Sequence, residues 1–145
     1  HQILERIIFP KLFSKKEQFT IEPEDYFFLR YWMSRTPNEV AIPFYDRETF
    51  FDSYGKFFIY GDKKGAMTNT TRIYNKVGLA YGTATDVAYV KDRNGIEFFL
   101  TATILTNKNE IFNDNTYEYD QLGIPFLAAL GRELYQFEKN KNSVK

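Results

Sequence analysis

Residues 72–106 read RIYNKVGLAYGTATDVAYVKDRNGIEFFLTATILT, and this run decides the fold. β-Branched and aromatic residues recur through it, which suits pleated, half-buried strands. Three consecutive strands are expected, over 73–78, 83–90 and 96–106. Tyr81-Gly82 marks the first change of direction. Asp92-Arg93-Asn94-Gly95 marks the second, because Asn-Gly readily takes positive φ. The first strand carries the triplet Lys76-Val77-Gly78. A lysine followed by a glycine on an exposed strand sets an ammonium beside accessible backbone, an arrangement able to hold a carboxylate or an acyl oxygen. The same triplet also fits a solvated strand lysine beside a glycine bulge.

Upstream of the strands the pattern is helical. Ile3, Leu4, Ile7 and Ile8 make one face of a helix that Pro10 ends after Phe9. Glu22-Pro23 opens a second helix, with Glu24 and Asp25 suited to its first turn. Capping explains this acidic group better than paired carboxylates would. Tyr26, Leu29, Tyr31, Trp32 and Met33 form the apolar side, and Thr36-Pro37-Asn38 stops the helix. Asp46 is expected to cap a further short helix with Phe50 and Phe51 inward. Residues 57–60 form a short apolar run, and 61–71 a polar loop. Downstream, 107–115 is polar. A final helix over 117–138 carries apolar residues at Tyr119, Leu122, Phe126, Leu130, Leu134 and Phe137. Pro125 lies inside that stripe and should kink the helix or mark a restart. The expected architecture is one α+β domain over 1–145: 1–60 mainly helical, 72–106 an antiparallel sheet, 117–138 a helix packed on it.

Composition removes several functions. Lys plus Arg and Asp plus Glu both total 19, and no basic face stands out, so no nucleic-acid partner is expected. There is no cysteine, which excludes thiolate chemistry. The only histidine is His1, which leaves no His-based metal site and no Ser-His-Asp triad within one chain. Neither a metal nor a cofactor is called for, and no apolar run has membrane length. Aromatic residues are dense, at 15 Phe, 11 Tyr and one Trp. That is more than one small core encloses, and exposed rings would form a patch inviting association, with a homo-oligomer through the sheet edge as one outcome.

The run 76–90, KVGLAYGTATDVAYV, followed by a turn and a long apolar strand, resembles the Lys-Thr-Gly box region of serine β-lactamases and penicillin-binding proteins. It looks most like the class A-type serine hydrolases. Residues 20–33, TIEPEDYFFLRYWM, are similar to that family's Thr-Thr-Pro helix start, and 117–137 to its C-terminal helix. The resemblance spans nearly all of this chain but only the C-terminal half of such an enzyme. It implies that Lys76 is catalytic, standing beside a nucleophilic serine. Val77, Gly78, Tyr81 and Gly82 would bind substrate: Gly78 leaves room for substrate backbone, and Tyr81 and Gly82 border the site where the chain turns. Asp86 falls where the family often has an acidic or polar residue, a position equally suited to a turn cap or a strand-end hydrogen bond. The implied chemistry is acyl transfer through serine from a small-molecule or peptide amide or ester, such as a β-lactam or a peptidoglycan-like peptide. By resemblance the compartment is periplasmic or exported.

The departures are specific. Val77 replaces the box Thr or Ser whose hydroxyl holds a substrate carboxylate. No Ser-Asp-Asn occurs, and nothing matches the deacylating glutamate. The one Ser-x-x-Lys, Ser53-Tyr54-Gly55-Lys56, lies close to the box and reads as a helix end stopped by Gly55. A nucleophile needs the helix start, where the dipole favours an anion. The resemblance therefore implies a catalytic serine on a preceding segment, and a first helix that begins with no N-cap before it agrees. The chain would then be inactive alone. A reading from another class is a non-catalytic interaction domain that binds through an exposed strand edge and aromatic surface. A third is a small α+β module in which Lys76 holds an anion.

Overall fold

The computed structural model describes residues 1–68 and 70–142. It contains α1 (Gln2–Ile8), α2 (Pro23–Ser34), β1 (Thr71–Ala80), β2 (Thr83–Asp92), β3 (Glu97–Leu105) and α3 (Ile124–Asn142). The strands form one antiparallel sheet in the order β1-β2-β3. The expected α+β class and three-stranded sheet are present, with N-terminal helices and a C-terminal helix.

Both hairpins follow from their turn residues. Tyr81 (φ 50°) and Gly82 (φ 87°) join the paired Ala80 and Thr83, a two-residue connection of the type whose twist matches antiparallel strands. In the second turn only Gly95 takes the left-handed conformation (φ 80°), not Asn94. There Asp92 Oδ1 accepts the amides of Asn94 (2.8 Å) and Ile96 (3.0 Å) and fixes the loop.

Strand alternation sorts the two faces. Ile73, Asn75 and Val77 on β1 lie opposite Val90, Ala88 and Asp86 on β2, and this face holds the core. Phe57, Phe58, Ile59 and Leu127 pack against it. Arg72, Tyr74, Lys76 and Gly78 fall on the other face, paired with Lys91, Tyr89, Val87 and Thr85. The α1 end covers part of that face. Phe9 meets the Tyr89 and Phe99 rings at 5.3 and 6.0 Å, and His1 Nδ1 lies 2.8 Å from Thr101 Oγ1.

Several expectations are corrected. No helix follows Asp46. Its carboxylate accepts the Thr49 amide at 2.9 Å, but the chain then runs through turns, with Gly55 at φ 74°. Phe50 and Phe51 are only half-buried. The cause lies in tertiary structure: β1 and β2 side chains capture Lys56 and the amides of Phe57 and Phe58, and an extended approach serves those bonds better than a helix. On α1 the buried residues are Leu4 and Ile7, whereas Ile3 is exposed. On α2 Tyr26 is buried, but Tyr31 and Trp32 face solvent beside Phe27 and Phe28.

The final helical stripe is only partly inward: Tyr119 and Leu130 pack against the core. Leu122, Phe126 and Phe137 are exposed, and the buried residues are Leu127, Ala128 and Gly131. Small residues carry this contact because the backbones nearly touch. A Cβ at Gly131 would lie 2.6 Å from Ile59 N and 2.9 Å from Phe58 Cβ. Ile59 has φ 70°, and Tyr60 N donates to Phe58 O at 2.8 Å, which makes a γ-turn centred on a β-branched residue. Arg132 holds this strained turn in place. It donates to Ile59 O at 2.8 Å and bidentately to Asp62, also at 2.8 Å. Pro125 marks a restart: a π turn, Tyr119–Gly123, precedes α3, and the proline sits in the first α turn.

Candidate functional site

β1 is an edge strand whose C-terminal half stands clear of the helices. Lys76, Gly78, Leu79, Ala80 and Tyr81 are all exposed. The Lys76 ammonium donates to Val77 O at 2.7 Å and faces solvent. Val77 points the other way and packs against the core, so it can offer a partner only its backbone. Tyr81 borders a shallow cavity of about 460 Å³ with Leu79, Asn115, Tyr117 and Tyr119. Lys76 is not among the residues lining that cavity.

The two glycines of the stretch differ. Gly82 has internal reasons to be glycine. Beyond its positive φ, an added Cβ would lie 2.7 Å from Asn107 Cβ, its N–H donates to Tyr119 Oη at 2.7 Å, and its carbonyl accepts from Thr106 N at 2.7 Å. Gly78 has none. It lies within β1, its φ is not left-handed, and a Cβ there would meet nothing within 4 Å. A glycine in mid-strand weakens the strand and commonly marks a place where a ligand or another backbone comes close.

A second lysine is held very differently. Lys56 is buried, and Nζ donates to Met33 O (2.6 Å), Ile73 O (3.0 Å) and Asn75 Oδ1 (2.7 Å). Asn75 Nδ2 donates to Gly55 O (2.8 Å) and to Asp86 Oδ1 (2.9 Å). Asp86 Oδ2 accepts the amides of Phe57 (3.2 Å) and Phe58 (3.3 Å). The chain Lys56–Asn75–Asp86 thus bolts the 55–58 segment and the end of α2 to the middle of the sheet. Burial lowers the Lys56 pKa to about 8 and raises that of Asp86 to about 6. In each case desolvation outweighs the attraction between the two charges. Asp86 is neither a turn cap nor a strand-end residue; it is a fully buried mid-strand carboxylate. The sequence held one signal for this. Alternation along β2 puts Asp86 on the same face as Ala84, Ala88 and Val90, and a charge there requires partners.

Ser53 does not serve as a nucleophile in this arrangement. It is buried, its hydroxyl donates to Lys63 O, and it lies in a turn with no helix start beneath it. No group of three or more His, Cys, Asp or Glu among the described residues is placed to hold a metal ion, and no helix among them is long and apolar enough to cross a membrane. No protein-family model matches the chain, and no curated protein or solved structure matches it either.

Proposed function

We propose that these residues form the sheet and C-terminal-helix portion of a β-lactamase-like serine hydrolase. It would act on an amide or ester through an acyl-serine, with a β-lactam or a peptidoglycan-like peptide as substrate class. Lys76 is the catalytic lysine of the box strand, and the Gly78 backbone lies against the substrate. The serine comes from residues outside these 145, since Ser53 is sealed in the core. One observation carries the reading: Gly78, on an uncovered edge strand two residues after an exposed lysine, has no internal reason to be glycine. The helix packed on the opposite face is consistent with it. Val77 supplies no hydroxyl, so a substrate carboxylate would have to be held by Lys76 and backbone.

The test is covalent labelling with a fluorescent penicillin, followed by denaturing electrophoresis. The 145-residue chain should take no label. The longest product of the same reading frame should take label, and Lys76→Ala should abolish it. A reading frame with no Ser-x-x-Lys upstream of His1 refutes the proposal. So does label on the short chain that disappears in Ser53→Ala.

A second reading is supported by a separate observation. Phe27, Phe28, Tyr31 and Trp32 form an exposed aromatic surface on α2, with neighbouring rings 5.4–6.2 Å apart in tilted and edge-to-face contacts. Among the described residues, no strand pairs with the outer edges of β1 and β3. A non-catalytic interaction domain would use this surface and these edges, including for self-association.

A further inference from the structure

We propose that the cleft between the α1–α2 pair and the second sheet face is a binding site for a small planar aromatic anion, a ring bearing a phosphate or a carboxylate. The cleft has a volume of about 430 Å³, within the range of small-molecule sites. Its charged lining is all of one sign: Arg30, Arg35, Arg72 and Lys91, with no Asp or Glu among the lining residues. Sheet register creates part of this excess. Arg72 and Lys91 are direct cross-strand partners, a like-charge pairing offset from outside the cleft by Glu39 on Arg72 and by Glu97, which lies directly across from Lys91 on β3 and accepts from the Tyr89 hydroxyl.

Neutralisation from outside the cleft is partial. Glu39 takes both terminal nitrogens of Arg72 at 2.7 and 2.8 Å and approaches Arg35 at 3.5 Å. Arg30 spends one nitrogen on Ile7 O at 3.0 Å. Lys91 is exposed, and Arg35 Nε is buried with no hydrogen-bond partner. A buried guanidinium donor with no acceptor is costly, and Arg35 is a residue of the cleft lining.

Aromatic rings complete the site. Tyr74 and Tyr89, the next cross-strand pair along, form its floor, and Tyr31 and Phe9 its walls. The Arg35 guanidinium lies 3.8 Å over the Tyr31 ring and covers one face of it, which fixes the cation within the cleft lining. Such a site fits a flat ring with an anionic substituent better than a bare anion or an aliphatic acid.

Trp32, whose ring is 5.4 Å from that of Tyr31, supplies the readout. Its emission is followed while the 145-residue protein is titrated with phenyl phosphate or benzoate, with inorganic phosphate and phenol as single-feature controls. At least one aryl anion should bind saturably and at least tenfold more tightly than either control, and added salt should weaken it. Lys91→Glu, on an exposed residue, should weaken it at least tenfold, as should Arg35→Gln. Lys76→Ala should leave it unchanged, which separates this site from the acyl-transfer reading. The proposal is overturned if neither aryl anion saturates, if inorganic phosphate binds as well as phenyl phosphate, or if Lys91→Glu and Arg35→Gln leave affinity unaltered.

Discussion

Replacing Asp86 by Asn removes the most deeply buried ionisable group from the Lys56–Asn75–Asp86 chain while keeping its shape. Two arguments about this change point in opposite directions, and magnitude decides between them. The first counts bonds. The carboxylate accepts from Asn75 and from two backbone amides, and such bonds should favour its charged form. The second counts solvation. The group lies in the core, and its pKa rises to about 6 from 3.8, with burial as the largest cause and the hydrogen bonds opposing it. Desolvation wins. A folded-state pKa raised above the unfolded value gives stability that is complete below 3.8 and is lost as pH rises through 6. A shift of this size corresponds to about 3 kcal/mol.

The asparagine variant has no such titration. Its hydrogen bonds cost something at every pH, because the new amide faces the Asn75 amide donor, but that cost is nearly independent of pH in this range. The difference in unfolding free energy, wild type minus Asp86→Asn, should therefore fall by about 2 kcal/mol between pH 4 and pH 7, most of the full linkage. Urea unfolding followed by Trp32 fluorescence, at fixed ionic strength, measures it. Parallel pH profiles would refute the reasoning. A wild type that gains on the variant as pH rises would show that the three amide donors, not burial, control Asp86.

Other expectations use the same assay or simpler ones. Lys56→Met leaves Met33 O, Ile73 O and Asn75 Oδ1 without their shared donor and Asp86 without its counter-charge, and should cost about 3–5 kcal/mol at pH 7. A loss below about 1 kcal/mol would mean that the cluster carries little of the fold. Gly131→Ala should lose about 1–3 kcal/mol despite the better helix propensity of alanine, since the new methyl meets the backbone of the Ile59 turn. An unchanged or raised Tm would show that α3 does not approach so closely. Gly78→Ala should leave stability unchanged or slightly higher, yet abolish penicillin labelling of the longer product, because nothing within the fold occupies that space. Light scattering at high protein concentration should detect self-association that weakens in Phe28→Ser, and a monomer throughout would count against the interaction-domain reading.

The sheet was legible because its signals are local. Turn residues at 81–82 and 92–95 sit between β-rich runs, and each hairpin forms where those residues permit it. The final helical stripe was half right: Tyr119 and Leu130 pack against the core, but three of its large apolar residues do not. Leu122, Phe126 and Phe137 satisfy the helical period, but Gly131 decides which face turns inward, since a Cβ there would meet the backbone at Phe58 and Ile59. Segment 46–55 misled for a related reason. Asp46 accepts the amide of a single turn, but no helix forms, because Lys56, Phe57 and Phe58 are required at Asn75 and Asp86. Helix propensity is a few tenths of a kilocalorie per residue and cannot compete with a buried charge network.

The two lysines show why a perturbed pKa is poor evidence of a reactive group when taken alone. Lys56 belongs to the only Ser-x-x-Lys, and burial brings its pKa down to about 8, which looks like an amine prepared for proton transfer. Yet its three donor positions are all filled by protein acceptors, and the residue is only 3% exposed. A base with no route to substrate does no chemistry, so the shift records the cost of a structural bolt. Lys76 has the opposite properties. Its one acceptor is the neighbouring carbonyl, its strand edge is open, and Gly78 leaves the adjacent backbone bare. Access is the reason the proposed reading takes Lys76 and not Lys56, and the cost of removing each lysine should separate the two roles. Lys76→Ala should unfold at the same urea concentration as the wild type, within about 0.5 kcal/mol of stability, as expected for an exposed side chain. If Lys76→Ala destabilised the protein as much as Lys56→Met, its ammonium would be part of the fold, and the argument for a free catalytic amine on β1 would fail.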